Sequence, residues 1–245
     1  MKNYYKIVAA IVLLLSVNQV FGQFYMGFNG GYNATAILNQ NNLGFQEPDY
    51  QFTTGPSFGG TMGFQISHNT GVRMDINYVK QGQLYKDEFW DGNLTKKIDL
   101  DYMQIPIMFE WLPFEDPNLV YLPARSPMFY MLSGVQFGFL LDAEIEQEWD
   151  GRQGDAPTYP VENKDLYKST DLAVVIEHGV QYFYDQRWFF NAGIRCVFGI
   201  TDINESEYHI DDHLYNYLPV GEYEPSRNGT WGLNITVAYL LGQKL

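Results

Sequence analysis

Alternation of side-chain character over about ten residues constrains this chain more than any other feature. In the segment 230–241, Trp231, Leu233, Ile235, Val237, Tyr239 and Leu241 share one parity, and Gly232, Asn234, Thr236 and Ala238 the other. Successive side chains of a strand point to opposite faces, so one face meets an apolar medium and the other a tight polar one. Val72, Met74, Ile76 and Tyr78 against Arg73, Asp75 and Asn77 repeat the pattern. That length and period belong to a strand crossing an outer membrane in a closed barrel.

The first residues read as a secretory signal. Lys2 and Lys6 give a positive start, Ile7 to Val17 an apolar stretch, and Val20-Phe21-Gly22 a cleavage site. Residues 1–22 are expected to be removed, leaving 23–245 as the barrel domain. The apolar run is about eleven residues, short of the roughly twenty of a spanning helix. No cysteine follows it, which argues against a lipid anchor, and the one cysteine of the chain, Cys196, cannot form an internal disulfide. Aromatic residues at 17% and 23 glycines suit many short strands in close contact. A net charge of -14 argues against nucleic acid, whose phosphates would repel it.

Turn and charge signals separate eight expected strands at 24–36, 57–66, 70–81, 98–111, 126–141, 170–183, 188–200 and 229–241. Connections 67–69 and 184–187 are tight, whereas 37–56, 82–97, 142–169 and 201–228 are long; the proline-bearing 112–125 is longer than its place in the alternation predicts. The reading is all-β: an eight-stranded antiparallel up-and-down transmembrane β-barrel with long extracellular loops. A soluble lipocalin-like barrel is the structural rival, with polar residues outside and an apolar cavity.

Parity predicts an inward set: Asn29, Asn33, Thr61, Gln65, Arg73, Asp75, Asn77, Gln104, Glu110, Gln136, Glu177, Gln181, Asn191, Arg195, Asn234 and Thr236. Unpaired charges are costly in a narrow lumen, so Arg73, Asp75, Glu110, Glu177 and Arg195 are expected to form one polar network that plugs it. Aromatics gather into two belts. Phe24, Phe64, Trp111, Phe129, Tyr182 and Trp188 fall near the tight turns, and Tyr32, Tyr78, Phe139, Phe198 and Trp231 near the long loops. His178 falls on the lipid-facing parity, which predicts a bulge there, or a position close to an interface or a partner.

Several segments resemble the PorT-like outer-membrane β-barrel family of bacteria with type IX secretion. They are Gly27-Phe28-Asn29-Gly30-Gly31-Tyr32-Asn33, Tyr102-Met103-Gln104-Ile105-Pro106-Ile107, Leu132-Ser133-Gly134-Val135-Gln136-Phe137-Gly138 and Phe198-Gly199-Ile200-Thr201-Asp202-Ile203. The resemblance spans nearly the whole mature chain and implies a barrel in the cell envelope linked to a secretion lineage. Pro106 cannot donate to a ladder and is expected at a bulge or strand end.

Other groupings bring together residue types that could carry chemistry. Asp142, Glu144, Glu146, Glu148 and Asp150, followed by Asp155, Glu162 and Asp165, form an acidic stripe that could meet calcium or the divalent ions of lipopolysaccharide, or simply extend a solvated hairpin. His209 and His213 flank Asp211 and Asp212 without a helix pattern for zinc. His68, Ser133, Ser206 and Glu205 show no convergence toward a catalytic constellation. Loop aromatics Phe45, Tyr50, Phe52, Phe89, Trp90, Trp149, Tyr159, Tyr208, Tyr215, Tyr217 and Tyr223 suit partner contact or a lid. The expected role is a non-enzymatic structural or accessory component, in contact with outer-membrane lipid and lipopolysaccharide and with a protein partner of a secretion or uptake complex. No cofactor or metal is expected. A small-solute channel and a lipid-modifying enzyme are the alternatives.

Overall fold

A computed structural model describes residues 23–38, 49–67, 69–89, 92–113, 127–150, 163–185, 187–205 and 225–241. The expected signal segment 1–22, His68, Phe45, Trp90, Asp155, Tyr159, Glu162 and the 206–224 stretch with its histidines and tyrosines lie outside the described residues. Eight strands run in chain order: β1 (Gln23–Leu38), β2 (Asp49–Gln65), β3 (Thr70–Phe89), β4 (Gly92–Trp111), β5 (Pro127–Trp149), β6 (Thr170–Phe183), β7 (Trp188–Gly199) and β8 (Arg227–Leu240). Each pairs antiparallel with its sequence neighbour, and β8 returns to β1, closing the barrel. Closure leaves no open edge in the hydrocarbon, where unpaired backbone groups are costly.

The pairing register sets the barrel's shape. Following partners around the wall from Tyr25 through Gly63, Arg73, Met108, Gly134, Val175, Val197 and Thr230 returns to β1 at Thr35, ten residues higher. Eight strands with that stagger tilt by about 43° and climb about 2.4 Å along the axis per residue.

Every residue of both expected aromatic belts in the described chain turns outward or half outward, including Tyr32, Trp111, Trp188 and Trp231. The register places the two rows roughly 20 Å apart in height, close to the band expected of such barrels. Between them the outer surface is apolar, with Phe28, Leu233, Ile235 and Val180 exposed. Such a continuous apolar wall exceeds what a soluble monomer displays, and the polar side is inside, which removes the lipocalin-like alternative.

Three expectations about the strands need correction. The connections 37–56, 82–97 and 142–169 are not irregular loops throughout. β3 and β4 stay paired to Phe89↔Gly92, β2 begins at Asp49, and β5 continues to Trp149. A twisted hairpin keeps its backbone hydrogen bonds in water as well as in lipid, and alternation persists in Gln81, Gln83 and Tyr85, all buried. Pro106 marks neither a bulge nor an end. β4 passes through it in constant register, paired to Gln136 on β5, and only the ladder to β3 lapses opposite Asp75 and Ile76. The missing N–H thus interrupts one ladder and leaves the other intact. No bulge lies at His178 either, since β6 keeps an unbroken register with both neighbours.

A register shift does occur between Asp101 and Tyr102 opposite β5, where Tyr102 pairs with Leu140 and Asp101 with Asp142. Leu141 is the extra residue, and its carbonyl accepts a hydrogen bond from Lys164 Nζ at 2.7 Å. Below it even-numbered residues of β5 face inward (Leu132, Gln136, Leu140); above it odd-numbered ones do (Ala143). One inserted residue inverts the parity, so Asp142, Glu144, Glu146 and Glu148 face water rather than the interior.

Candidate functional site: a charged plug in the barrel lumen

The expected inward set is buried, with Gln65 alone half-exposed at the tight-turn rim. β3 brings in Arg73 and Asp75 two residues apart on one face, β6 brings Glu177, and β7 brings Arg195 directly opposite it. Arg73 Nε donates to Asp75 Oδ1 at 2.8 Å, and its Nη2 to Asp75 Oδ2 at 3.2 Å and to Thr236 Oγ1 at 2.8 Å. Arg195 bridges the two carboxylates, with Nε to Glu177 Oε2 at 2.5 Å and Nη2 to Asp75 Oδ2 at 2.7 Å. Arg73 Nη1 stands 4.0 Å from Glu177 Oε1. Two cations thus interleave with two anions at mid-height, so the quartet is neutral and each carboxylate meets both arginines.

Neutral groups complete it. Tyr130 Oη donates to Glu177 Oε1 at 2.6 Å, and Asn234 Nδ2 to Glu177 Oε2 at 3.2 Å. With its nitrogen donating to Asn29 Oδ1 at 2.8 Å, the Asn77 amide accepts from Arg195 Nη1 at 3.2 Å. Charge-assisted bonds of this kind hold their geometry in a low-dielectric interior and leave little freedom to the side chains.

The structure places Glu110 apart from the quartet. It is buried near the tight-turn end, where Tyr25 Oη donates to its Oε2 at 3.0 Å and, among the described residues, no cation lies within ion-pair distance. The expected five-member network is therefore four charges plus a separate Tyr25–Glu110 pair. Glu110 enters on β4 opposite Gly71 and Leu132, one row below Arg73, and the climb of the register separates it from Asp75.

Parity on polar residues alone missed the tyrosines. Tyr25 and Tyr130 share the inward parity of Asn29 and Gln136, and both are fully buried. Glycines make room for them: a Cβ on Gly63 would lie 2.2 Å from the Tyr25 ring, and one on Gly193 2.4 Å from the Tyr130 hydroxyl. A large inward ring opposite an inward glycine is the signal that could have found them.

Apolar layers close the lumen at both ends. Tyr25, Phe183, Phe189, Ala238 and Leu240 pack together at the tight-turn end, with Tyr25 and Phe189 edge to face at 5.1 Å. At the outer mouth Ile37, Tyr85, Ile98, Leu100, Tyr102 and Leu140 gather with Tyr167 and Ile203, contributed by the two long connections. Tyr167 and Asn204 form a β-bridge there. A second polar set lies beneath this cap: Asp171 accepts from Thr201 Oγ1 at 2.7 Å and Asn228 Nδ2 at 3.0 Å, and Gln81 donates to Thr230 at 2.7 Å.

Outside the membrane, the acidic stripe is a ladder spread along β5. Glu144 pairs with Asp99 and Glu146 with Lys97, and Lys97 Nζ meets Asp99 Oδ2 at 2.5 Å, which holds the lysine charge above its usual range. The Asp150 carboxylate accepts from the Asn93 backbone N–H across the hairpin. Among the described residues no three acidic, histidine or cysteine side chains converge as metal ligands. Phe52 meets Trp231 edge to face at 4.7 Å, so this loop aromatic packs on the barrel itself. Ser133 and Glu205 are far apart in the fold, on the β5 wall and beyond β7.

Comparison with known proteins bears on the fold. No curated protein matches the sequence. Solved structures resemble it at low identity. The outer membrane protein OprG from Pseudomonas aeruginosa is 12% identical over 90% of this chain and 96% of its own, with a TM-score of 0.47. Neisserial surface protein A is 12% identical over 87% and 96%, with 0.43. Ail, the attachment invasion locus protein of Yersinia pestis, is 10% identical over 89% and 99%, with 0.37. The sequence pattern of one family matches residues 18–205. With a closed eight-stranded barrel, an apolar outer wall and that match over most of its length, the chain is an outer-membrane protein and belongs to the outer membrane protein beta-barrel domain family.

Proposed function

We propose that the protein is a non-enzymatic structural or accessory component of the outer membrane, a sealed barrel that carries a stiff, acidic β-sheet into the medium. The observation that carries this reading is the filled lumen: a neutral four-charge plug between two apolar layers. Moving a solute through it would break charge-assisted bonds that have no replacement partner. Outside, β3, β4 and β5 extend together roughly 20 Å beyond the outer aromatic row, presenting Glu144, Glu146 and Glu148 on a surface suited to a basic partner or to lipopolysaccharide through divalent ions. The segments similar to PorT-like barrels favour a partner from a secretion complex of the type IX lineage.

The second reading, a narrow solute path, rests on Gln181 and Asn191. They are paired across β6 and β7, fully buried, and their amides have no hydrogen-bond partner among the described residues. Buried amides of this kind favour the wettest stretch of a lumen. Planar-bilayer recording of the refolded mature chain separates the two readings. The sealed barrel gives no unitary conductance above background, and reproducible channel steps would refute it.

A further inference from the structure

Among the described residues, the lipid-facing wall between the two aromatic rows has one polar spot. Between the two aromatic rows, the outward residues of β6 are Val174, Ile176, His178 and Val180, and those of β5 are Met131, Ser133, Val135 and Phe137. Ser133 and His178 both point out and are exposed to the bilayer. Among the described residues, no Asp, Glu, Lys or Arg shares this band.

Three features define the spot. First, His178 is within the hydrocarbon. It lies four residues above Tyr182 on the same face, about 10 Å up the barrel axis, with Ile176 and Val180 along its strand and Met131 and Ile194 across. Neither a bulge nor the headgroup region accounts for it. Second, neither side chain has a hydrogen-bond partner within the described protein; His178 touches the Phe129 ring, centroids 6.5 Å apart. Polar groups facing lipid without partners are unfavourable and mark contacts or function. Third, the two are diagonal neighbours, since Met131 pairs with His178 and Ser133 with Ile176. The climb of each row from β5 to β6 offsets the two-residue step along β5, so the side chains stand within about 2 Å of the same height.

We propose that Ser133 and His178 form an intramembrane contact through which two copies of this chain pair. Copies inserted in the same orientation are related by a two-fold axis along the membrane normal, and such an axis brings together residues of equal height. Equal height lets His178 of one copy meet Ser133 of the other, and the reverse contact follows by symmetry. The chemistry is self-complementary: a neutral imidazole carries one donor and one acceptor, and a hydroxyl carries both. Two hydrogen bonds then replace four unmet polar atoms, in a solvent that offers no competitor. Among the described residues no carboxylate on this face orients the imidazole, so the pair lacks the third member of an acyl-transfer triad there.

The test is subunit counting by single-molecule photobleaching of the mature chain in phosphatidylcholine vesicles at graded protein density. Wild type is expected to pass from one to two bleaching steps as density rises. Both H178F and S133V place apolar groups in lipid and keep the barrel folded, as heat-modifiable gel mobility will report. Each is expected to weaken association about tenfold. I235V, on β8 and two strands round the wall from β6, is expected to leave it unchanged. In a C196A background, mixed S133C and H178C chains should form disulfide-linked pairs in excess of either chain alone. Wild type that stays monomeric at the highest density overturns the proposal, including in favour of a foreign partner. Association that survives both H178F and S133V, or that I235V weakens as much, overturns it too.

Discussion

Replacing Arg195 by methionine keeps the bulk of the side chain and removes the charge that joins Glu177 to Asp75. Two charge-assisted bonds to carboxylates are lost, at 2.5 Å and 2.7 Å, both between groups shielded from solvent, along with the weaker bond to the Asn77 amide. At about 1.5–3 kcal/mol each, they amount to about 3–6 kcal/mol, in line with the roughly 3–5 kcal/mol for orphaning a buried ion partner. Glu177 keeps Tyr130 and Asn234, and Asp75 keeps Arg73, so the expected loss is near the lower end, about 3 kcal/mol. The assay is urea unfolding of residues 23–245 in lipid vesicles, followed by tryptophan fluorescence and gel mobility. The second arm is R195M with E177M, which deletes one cation and one anion and leaves Arg73 bidentate on Asp75. That double variant should recover at least about half of the loss, because no charge remains orphaned. If R195M unfolds within about 1 kcal/mol of wild type, the plug is hydrated and the argument for a sealed lumen fails.

Three further outcomes follow from the same structure. Deleting Leu141 returns Glu144 and Glu146 to the parity of the interior beside Ile98 and Leu100, so the barrel should lose several kcal/mol or fail to fold, read by gel mobility. Gly63→Ala sets a methyl 2.2 Å from the Tyr25 ring and should cost about 1–3 kcal/mol by the same urea assay, whereas Gly60→Ala, whose methyl would meet the Gly27 carbonyl oxygen at an ordinary 4.0 Å, should cost far less. In the β6–β7 turn, Asp185 Oδ1 accepts from the backbone N–H groups of Arg187 (2.7 Å) and Trp188 (2.6 Å), the latter contributing most to holding its carboxyl below the usual range. Its stabilisation is present above the ordinary carboxylate pKa of about 4 and is lost as pH falls through the depressed folded value. Asp185→Asn should therefore flatten the acid limb of thermal stability, and an unchanged limb would count against this role.

Much of the fold is legible in the chain because a membrane barrel has a period of two and two solvents of opposite character. Arg73, Asp75, Glu177 and Arg195 announce their face by alternating with Val72, Met74, Ile176 and Ile194, and the aromatics mark where hydrocarbon ends. Parity states a side, however, and not a height. Whether Glu110 joins the quartet depends on the stagger of eight strands, a sum of pairings that no single segment contains. The same stagger decides that His178 and Ser133, 45 positions apart in the sequence, share a level in the bilayer.

The sequence by itself determined which residues share a face, since that follows from local alternation alone, and the closed barrel put the polar face inside. Only closure of the barrel decided who meets whom across the lumen, because neighbours there are set by register and tilt. It also decided where alternation is broken: nothing local distinguishes Leu141 from its neighbours, yet the residue that cannot be matched on β4 inverts every side chain beyond it. Long-range pairing, a property of the closed sheet as a whole, converts a one-residue mismatch into an acidic outer surface.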